Sequence, residues 1–249
     1  MTLFRQSLWA ACQREFKAYF ASPLAYVFII IFLILVTVLT WDLSRFFDTG
    51  AADLTPFFYW HPWLYTLFMP ALAMRLWADE SQSGTFEIVL SLPVSLPGIV
   101  VGKFLAAWSI AGISLLLTFP WWVVVNILGP ADNPTILLTY CLSFLMAGSY
   151  ISLGCAISAL TKSAVLAFVI GVLLAFVMTV AGWPLMVGIL SDTLGVGAGE
   201  SVALFSFLTH FETAQRGVLE WRGVFFYLGY SGLCLGLAHL FVSQKRNVG

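Results

Sequence analysis

Residues 97–104, Pro-Gly-Ile-Val-Val-Gly-Lys-Phe, have the outline of a phosphate-cradling loop. Such a loop needs the spacing G-x-x-x-x-G-K-[ST]. Its glycines admit phosphate to the backbone N–H groups, its lysine supplies charge and its hydroxyl holds magnesium. Here the spacing is one residue short, Phe104 replaces the hydroxyl and no strand pattern precedes the segment. Nucleotide binding by this chain is therefore not expected. Ser231 and His239 raise a second possibility, a serine nucleophile with its base. On one helix they stand about 12 Å apart in rise alone. A base must reach within about 3 Å, and His61 could approach only from another span. The adjoining Gly232 and Gly236, at small-x-x-x-small spacing, read instead as a seam for close helix packing. His61, beside Pro62 and before Pro70, is expected to be hydrogen-bonded near an interface rather than to mark a pathway. Glu200, His210 and Glu212 show no ligand spacing, so solvated outer-loop residues are the expectation. Cys12, Cys141, Cys155 and Cys234 contain no C-x-x-C pair and read as reduced, packed thiols. No catalytic residue, cofactor or metal is expected in this chain.

The elements that carry these residues are apolar. The 249 residues are 61% hydrophobic and 9% charged, where a soluble domain carries about 25% charged residues. Six runs, 24–41, 57–74, 104–128, 135–160, 163–190 and 223–243, contain no charged side chain. Each is long enough as a helix to cross about 30 Å of hydrocarbon. The expected fold is an all-α membrane protein of six spans, with residues 1–22 as an interfacial helix and 23–249 as one transmembrane domain. In residues 2–21, Leu3, Phe4, Leu8, Ala11, Phe16 and Phe20 lie near one stripe, with Arg5, Gln13, Arg14 and Lys17 over much of the rest. That pattern suits a helix lying along the membrane with nothing else to pack on, and Pro23 permits a sharp turn into the first span. No removable signal peptide is read at the N-terminus.

With the N-terminus inside, Arg5, Arg14, Lys17, Arg75, Lys103, Lys162, Lys245 and Arg246 fall on the cytoplasmic side, and only Arg45, Arg216 and Arg222 outside. The bias follows the positive-inside rule and predicts both termini in the cytoplasm. Trp60, Trp63, Trp121 and Trp122 read as belt residues. Outer residues 191–222 hold Gly195, Gly197 and Gly199, then the apolar stretch Val202–Leu208. That stretch is too short to span, so a re-entrant or interfacial helix is predicted.

Residues 79–95, between the second and third spans, are the most specific feature. Gly84 breaks the preceding segment, and Thr85 can cap a short helix. Phe86, Val89 and Leu90 would share one face with Glu87 on another, and Pro93 ends the helix. Lys103 marks the start of the next span. The product is a short amphipathic helix on the cytoplasmic side.

This segment resembles the coupling helix of the permease subunits of ABC-2 type exporters. The matching positions are Glu80, Gly84, Thr85, Glu87, Leu90, Pro93 and Ser95, followed by Gly102-Lys103. Residues 14–23, Arg-Glu-Phe-Lys-Ala-Tyr-Phe-Ala-Ser-Pro, resemble the same family's elbow helix. His210-Phe211-Glu212 and Arg216-Gly217-Val218 resemble its gliding-motility-type branch. The resemblance implies coupling through Glu80, Ser83, Gly84, Thr85, Phe86, Glu87, Leu90 and Pro93, and an elbow anchored by Arg14, Lys17, Phe20 and Pro23. It implies a separate ABC ATPase carrying ATP and magnesium, a second permease copy as homodimer or related chain, and an extracytoplasmic auxiliary subunit. It also implies contact with membrane lipid and residence in a bacterial inner membrane; no nucleic acid partner is expected. The cargo expected is lipid-linked or amphipathic, or else mechanical work on an outer partner. An ion-coupled secondary transporter is the main alternative. Such proteins keep charges at the midplane, and these spans have none. A structural anchor for a larger complex accounts for the missing charge but not for residues 79–95.

Overall fold

The computed structural model describes residues 2–46, 52–84 and 94–248. The described residues form α1 (Thr2–Ala21), α2 (Leu24–Val38), α3 (Thr55–Tyr59), α4 (His61–Ala73), α5 (Arg75–Ser83) and α6 (Leu96–Leu116). They continue as α7 (Phe119–Leu128), α8 (Asn133–Leu160), α9 (Ala164–Val180), α10 (Pro184–Leu194), α11 (Val196–Ala203), α12 (Phe207–Gln215) and α13 (Trp221–Val248). Helices dominate because each closes its backbone hydrogen bonds internally, which hydrocarbon demands of any spanning segment.

Among the described residues, four helical runs are long and apolar enough to cross a membrane: Ala25–Leu43, Leu96–Leu128, Asn133–Leu160 and Trp221–Lys245. A fifth crossing is available from α9 and α10, bent by 75°. The bend lies inside the run 163–190 that hydropathy treats as one span. Its cause is Pro184, which has no N–H for the helix ladder and restricts its neighbour: Trp183 is extended, at ψ 132°.

The remaining expected span, 57–74, is divided instead between α3 and α4, neither of them long enough to cross alone. Pro56 and Pro62 start these two helices, and Pro70 lies inside α4. This interrupted stretch runs through the interior, with nearly all of α4 buried. Irregular backbone at membrane depth is tolerated where protein rather than lipid surrounds it.

Helix α8 is the axis of the bundle. Every residue from Met146 to Ala159 is buried, as expected of a helix enclosed on all faces. Helices α4, α5, α6, α9, α12 and α13 all pack against it. Helix α1 is not left with only the membrane to rest on, which corrects the sequence expectation. It lies along α6, where Gly98 and Gly102 admit its backbone. A Cβ on Gly102 would come within 2.5 Å of Leu8 O, and one on Gly98 within 2.8 Å of Phe4 O. The face of α1 away from this seam remains exposed at Leu3, Phe4 and Trp9. The seam expected at Gly232 and Gly236 is not formed within this chain. Added Cβ atoms there would meet nothing within 4 Å, because those glycines face away from the bundle.

Candidate functional site

Lys103 does not mark the start of a helix. Helix α6 begins at Leu96, so Lys103 lies within it, only 1% exposed. A buried ammonium needs partners, and α1 and α5 supply them. Lys103 Nζ donates to Leu76 O at 2.6 Å, Glu15 Oε1 at 2.8 Å and Glu80 Oε1 at 3.0 Å. It also lies 4.8 Å from the centre of the Trp77 ring, a cation–π distance. Arg14 closes the cluster from the solvent side, reaching Glu15 Oε1 at 2.8 Å and Glu80 Oε1 at 2.6 Å. Burial alone would raise the Glu15 carboxyl pKa, but Lys103 and Arg14 outweigh it and hold the group below its ordinary value. Two cations and two anions thus lock three helices together.

The cluster braces both ends of the segment predicted to couple. On the entering side α5 carries Glu80 and Ser83 and stops at Gly84, whose φ of +73° suits glycine at a helix end. On the returning side Ser95 N–H donates to Ser7 Oγ of α1 at 3.1 Å. Thr85, Phe86, Glu87, Leu90 and Pro93 lie outside the described residues. Of the predicted elbow residues, Arg14 joins the ion cluster, while Lys17 and Phe20 remain on α1 outside it. Pro23 makes the turn into α2 at φ −65°. Tyr19, one turn on from Glu15, donates to Leu72 O at 2.6 Å and ties α1 to α4. A groove of about 240 Å³, lined by Glu15, Tyr19, Ser22, Arg75, Asp79 and Glu80, opens beside the cluster. The pairing of Lys103 with Glu15 and Glu80 is what residue counting missed. The Gly-x-x-x-Gly spacing just ahead of Lys103 was the available signal.

A second polar assembly lies among α4, α8 and α9 and is uncharged. His61 Nδ1 is 3.0 Å from Ser143 Oγ, which is 2.8 Å from Tyr65 OH. Tyr150 OH pairs with Thr179 Oγ1 at 2.5 Å, and Thr179 with Thr66 at 3.1 Å. Ser206 Oγ donates to Thr179 O, near the α9–α10 bend. Ser231 lies 3.3 Å from Ser149, a hydroxyl rather than a base. His210 Nε2 is 3.0 Å from Leu204 O, and among the described residues no three of His, Cys, Asp or Glu converge. Cys155 and Cys234 are buried, Cys12 is partly buried and Cys141 is exposed; all four are free thiols. Trp60, Trp121 and Trp122 donate to Ser44, Thr37 and Asn133. Between α6, α7 and α8 lies an apolar groove of about 340 Å³, lined by Leu115, Phe119, Trp122, Tyr140 and Phe144 among others.

A family model described as ABC-2 family transporter protein matches residues 63–222, well over half of the chain. Among curated proteins, heme exporter protein B of Escherichia coli (strain K12) is 38% identical over 56 residues, 22% of this chain and 26% of that protein. The protein of the same name from Shigella flexneri matches with the same figures. The matched stretch therefore spans only about a quarter of the length of these relatives.

Proposed function

The chain belongs to the ABC-2 family of transporter proteins, and from that premise we propose that it is the permease subunit of an ATP-driven exporter whose ATPase is a separate chain. It is a multi-pass membrane protein of this family, and its 97–104 segment lacks the spacing and hydroxyl of a phosphate loop. The ATPase docks on residues 79–95 from the cytoplasm. Glu80, Gly84, Thr85, Phe86 and Glu87 form the coupling surface. Residues 2–21 are the elbow, and α3 with α4 make an interior sixth crossing, so both termini are cytoplasmic in a bacterial inner membrane. Two permease copies work with two ATPases. ATP and magnesium reside on the ATPase, and an extracytoplasmic auxiliary subunit completes the assembly. The resemblance of His210-Phe211-Glu212 and Arg216-Gly217-Val218 to the gliding-motility-type branch supports membership of that branch.

One observation carries the coupling reading. The ion cluster of Arg14, Glu15, Glu80 and Lys103 joins the helix that enters residues 79–95 to α6, which follows them, and to α1. A push on that segment would reach the bundle through charge-assisted bonds rather than through a slack loop. The cargo is lipid-linked or amphipathic, in keeping with the apolar groove between α6, α7 and α8. Mechanical work on an outer partner by the same stroke is the related reading. An ion-coupled transporter is disfavoured because the polar chain at α4, α8 and α9 carries no formal charge. Heme, named in the relatives, is one amphipathic cargo to assay, although the shared stretch is too short to carry a substrate over.

The test uses the full chain in liposomes with an ABC ATPase that copurifies with it. The permease should stimulate ATP turnover, and Glu87→Arg should abolish that stimulation while inserting normally. Undiminished stimulation by Glu87→Arg would overturn the coupling role.

A further inference from the structure

Met74 separates α4 from α5, yet its own backbone is helical, at φ −56° and ψ −32°. What is interrupted is the hydrogen-bond ladder, and a side chain from α8 fills the gap. Ser158 Oγ donates to Met74 O at 2.8 Å, and accepts from Trp77 N–H at 3.0 Å and Ala78 N–H at 3.1 Å. A hydroxyl has one proton and two lone pairs, and all three are engaged. Ser158 and Trp77 are both fully buried, so water does not compete. A side chain inserted into the ladder is a recognised origin of a helix joint.

The seat for this joint is built one turn earlier on the same face of α8. Gly154 lies against α4 so closely that a Cβ there would meet Ala73 Cβ at 2.6 Å and Pro70 Cα at 3.5 Å. Beyond the joint α5 is gripped at two more points. Lys103 holds Glu80 and Leu76 O from α6, and Lys245 of α13 reaches Ser81 Oγ at 3.4 Å and Ala159 O at 2.7 Å.

We infer that Met74 is the hinge of the coupling lever and that Ser158 is its positioning residue. The inference rests on the coupling role proposed above. Backbone hydrogen bonds one turn apart would make α4 and α5 a single rod. Bonds handed to a hydroxyl on a neighbouring helix can be exchanged as α5 swings, while α8 stays as the frame. Removing the hydroxyl lets Trp77 N–H and Ala78 N–H return to Ala73 O and Met74 O, because the dihedrals are already helical. The joint then stiffens rather than loosens.

The test is a distance measurement on the full chain, reconstituted with its ATPase. Nitroxide labels are placed at Gln82→Cys and Lys162→Cys, both exposed, in a background with Cys12→Ser and Cys141→Ser. The label spacing is measured without nucleotide and with ATP plus vanadate. The wild-type joint should show a nucleotide-dependent change. Ser158→Ala should lose it with the ATPase still bound, and Ser158→Thr, which keeps the hydroxyl, should retain it. If Ser158→Ala yields no folded protein, Ser158→Cys, whose thiol is a weak donor and acceptor, should show a reduced change. A full change in Ser158→Ala or Ser158→Cys overturns the hinge alone. No change in the wild-type joint, or no bound ATPase, overturns the coupling role and the hinge with it.

Discussion

At the meeting of α1, α5 and α6, one ammonium with 1% of its side chain exposed is met by two carboxylates and shadowed by a half-exposed guanidinium. At the meeting of α4, α8 and α9, a histidine, two tyrosines, two threonines and a serine are knitted together without formal charge. Both regions bury polar atoms, but their surroundings differ. The first opens on a groove, and Arg14 reaches solvent, so its ions keep part of their hydration. The second is enclosed by aromatic rings, with Phe57 4.7 Å and Phe58 5.3 Å from His61. A charge placed there would carry the full penalty of desolvation. The contrast is one of access: strong, directional bonds lie beside an open groove, and weaker neutral ones hold the interior.

Lys103→Met presses hardest on this contrast. It leaves two carboxylates with only the half-exposed Arg14 as counter-charge, and breaking a buried ion cluster from one side costs about 3–5 kcal/mol. Denaturant titration in detergent micelles should show a loss of that size, largely recovered when Glu15→Gln and Glu80→Gln are added. A loss below about 1 kcal/mol would mean that the cluster is no stronger than a surface ion pair. Next in size is the seam beside it. Gly102→Ala drives a Cβ to 2.5 Å from Leu8 O and 2.9 Å from Ala11 Cβ, an overpacking expected to cost about 1–3 kcal/mol. Gly232→Ala meets open space and should gain roughly 0.5–1 kcal/mol from helix propensity. Opposite signs in the same titration would sharpen the comparison, and equal effects would break it. In the neutral region Ser143→Ala removes the shared partner of His61 and Tyr65. Hydrogen bonds between membrane helices average about 0.6 kcal/mol, so a loss near 1 kcal/mol is expected there.

The same contrast decides what could be read in advance. Hydropathy marks the helices because lipid rewards apolar side chains whatever their partners, and the runs that became α2, α6 with α7, α8, α9 and α13 stand out on that ground. Gly84 was legible as a stop because a left-handed residue at a helix end favours glycine. Pro184 carried a legible warning of the bend after α9, masked by the unbroken apolar run around it. Glu15 and Glu80 could be counted but not paired, since their meeting at Lys103 depends on how α1 lies on α6. Gly98-x-x-x-Gly102 and Gly232-x-x-x-Gly236 have identical spacing, yet only the first is packed against another helix within this chain. Ser158 gave no local signal at all. Its role appears only when the interrupted ladder at Met74 is set beside it.

Acid should bring out the smallest difference. Burial works to raise the Glu15 pKa, but the Lys103 ammonium and the Arg14 guanidinium prevail, leaving it lower in the folded state than in the unfolded chain. A carboxylate depressed in this way adds stability above its unfolded pKa, about 4.3 for glutamate. That contribution is lost as pH falls toward and through the lower folded value. The α1–α5–α6 junction should therefore hold unchanged from neutral pH down to about pH 5 and weaken only below that. Intrinsic fluorescence of Trp77, followed during acid titration of the full chain in micelles, reports the junction directly, because the ring lies beside Lys103; Trp77→Phe subtracts the other tryptophans. Glu15→Gln removes the titrating group and should flatten the acid limb. Lys103→Met deprives Glu15 of its main counter-charge and should move the limb to higher pH, since the remaining burial favours the neutral acid. An acid limb that stays in place in both variants would mean that protons act elsewhere, and that the ion cluster is not the pH-sensitive lock on α1.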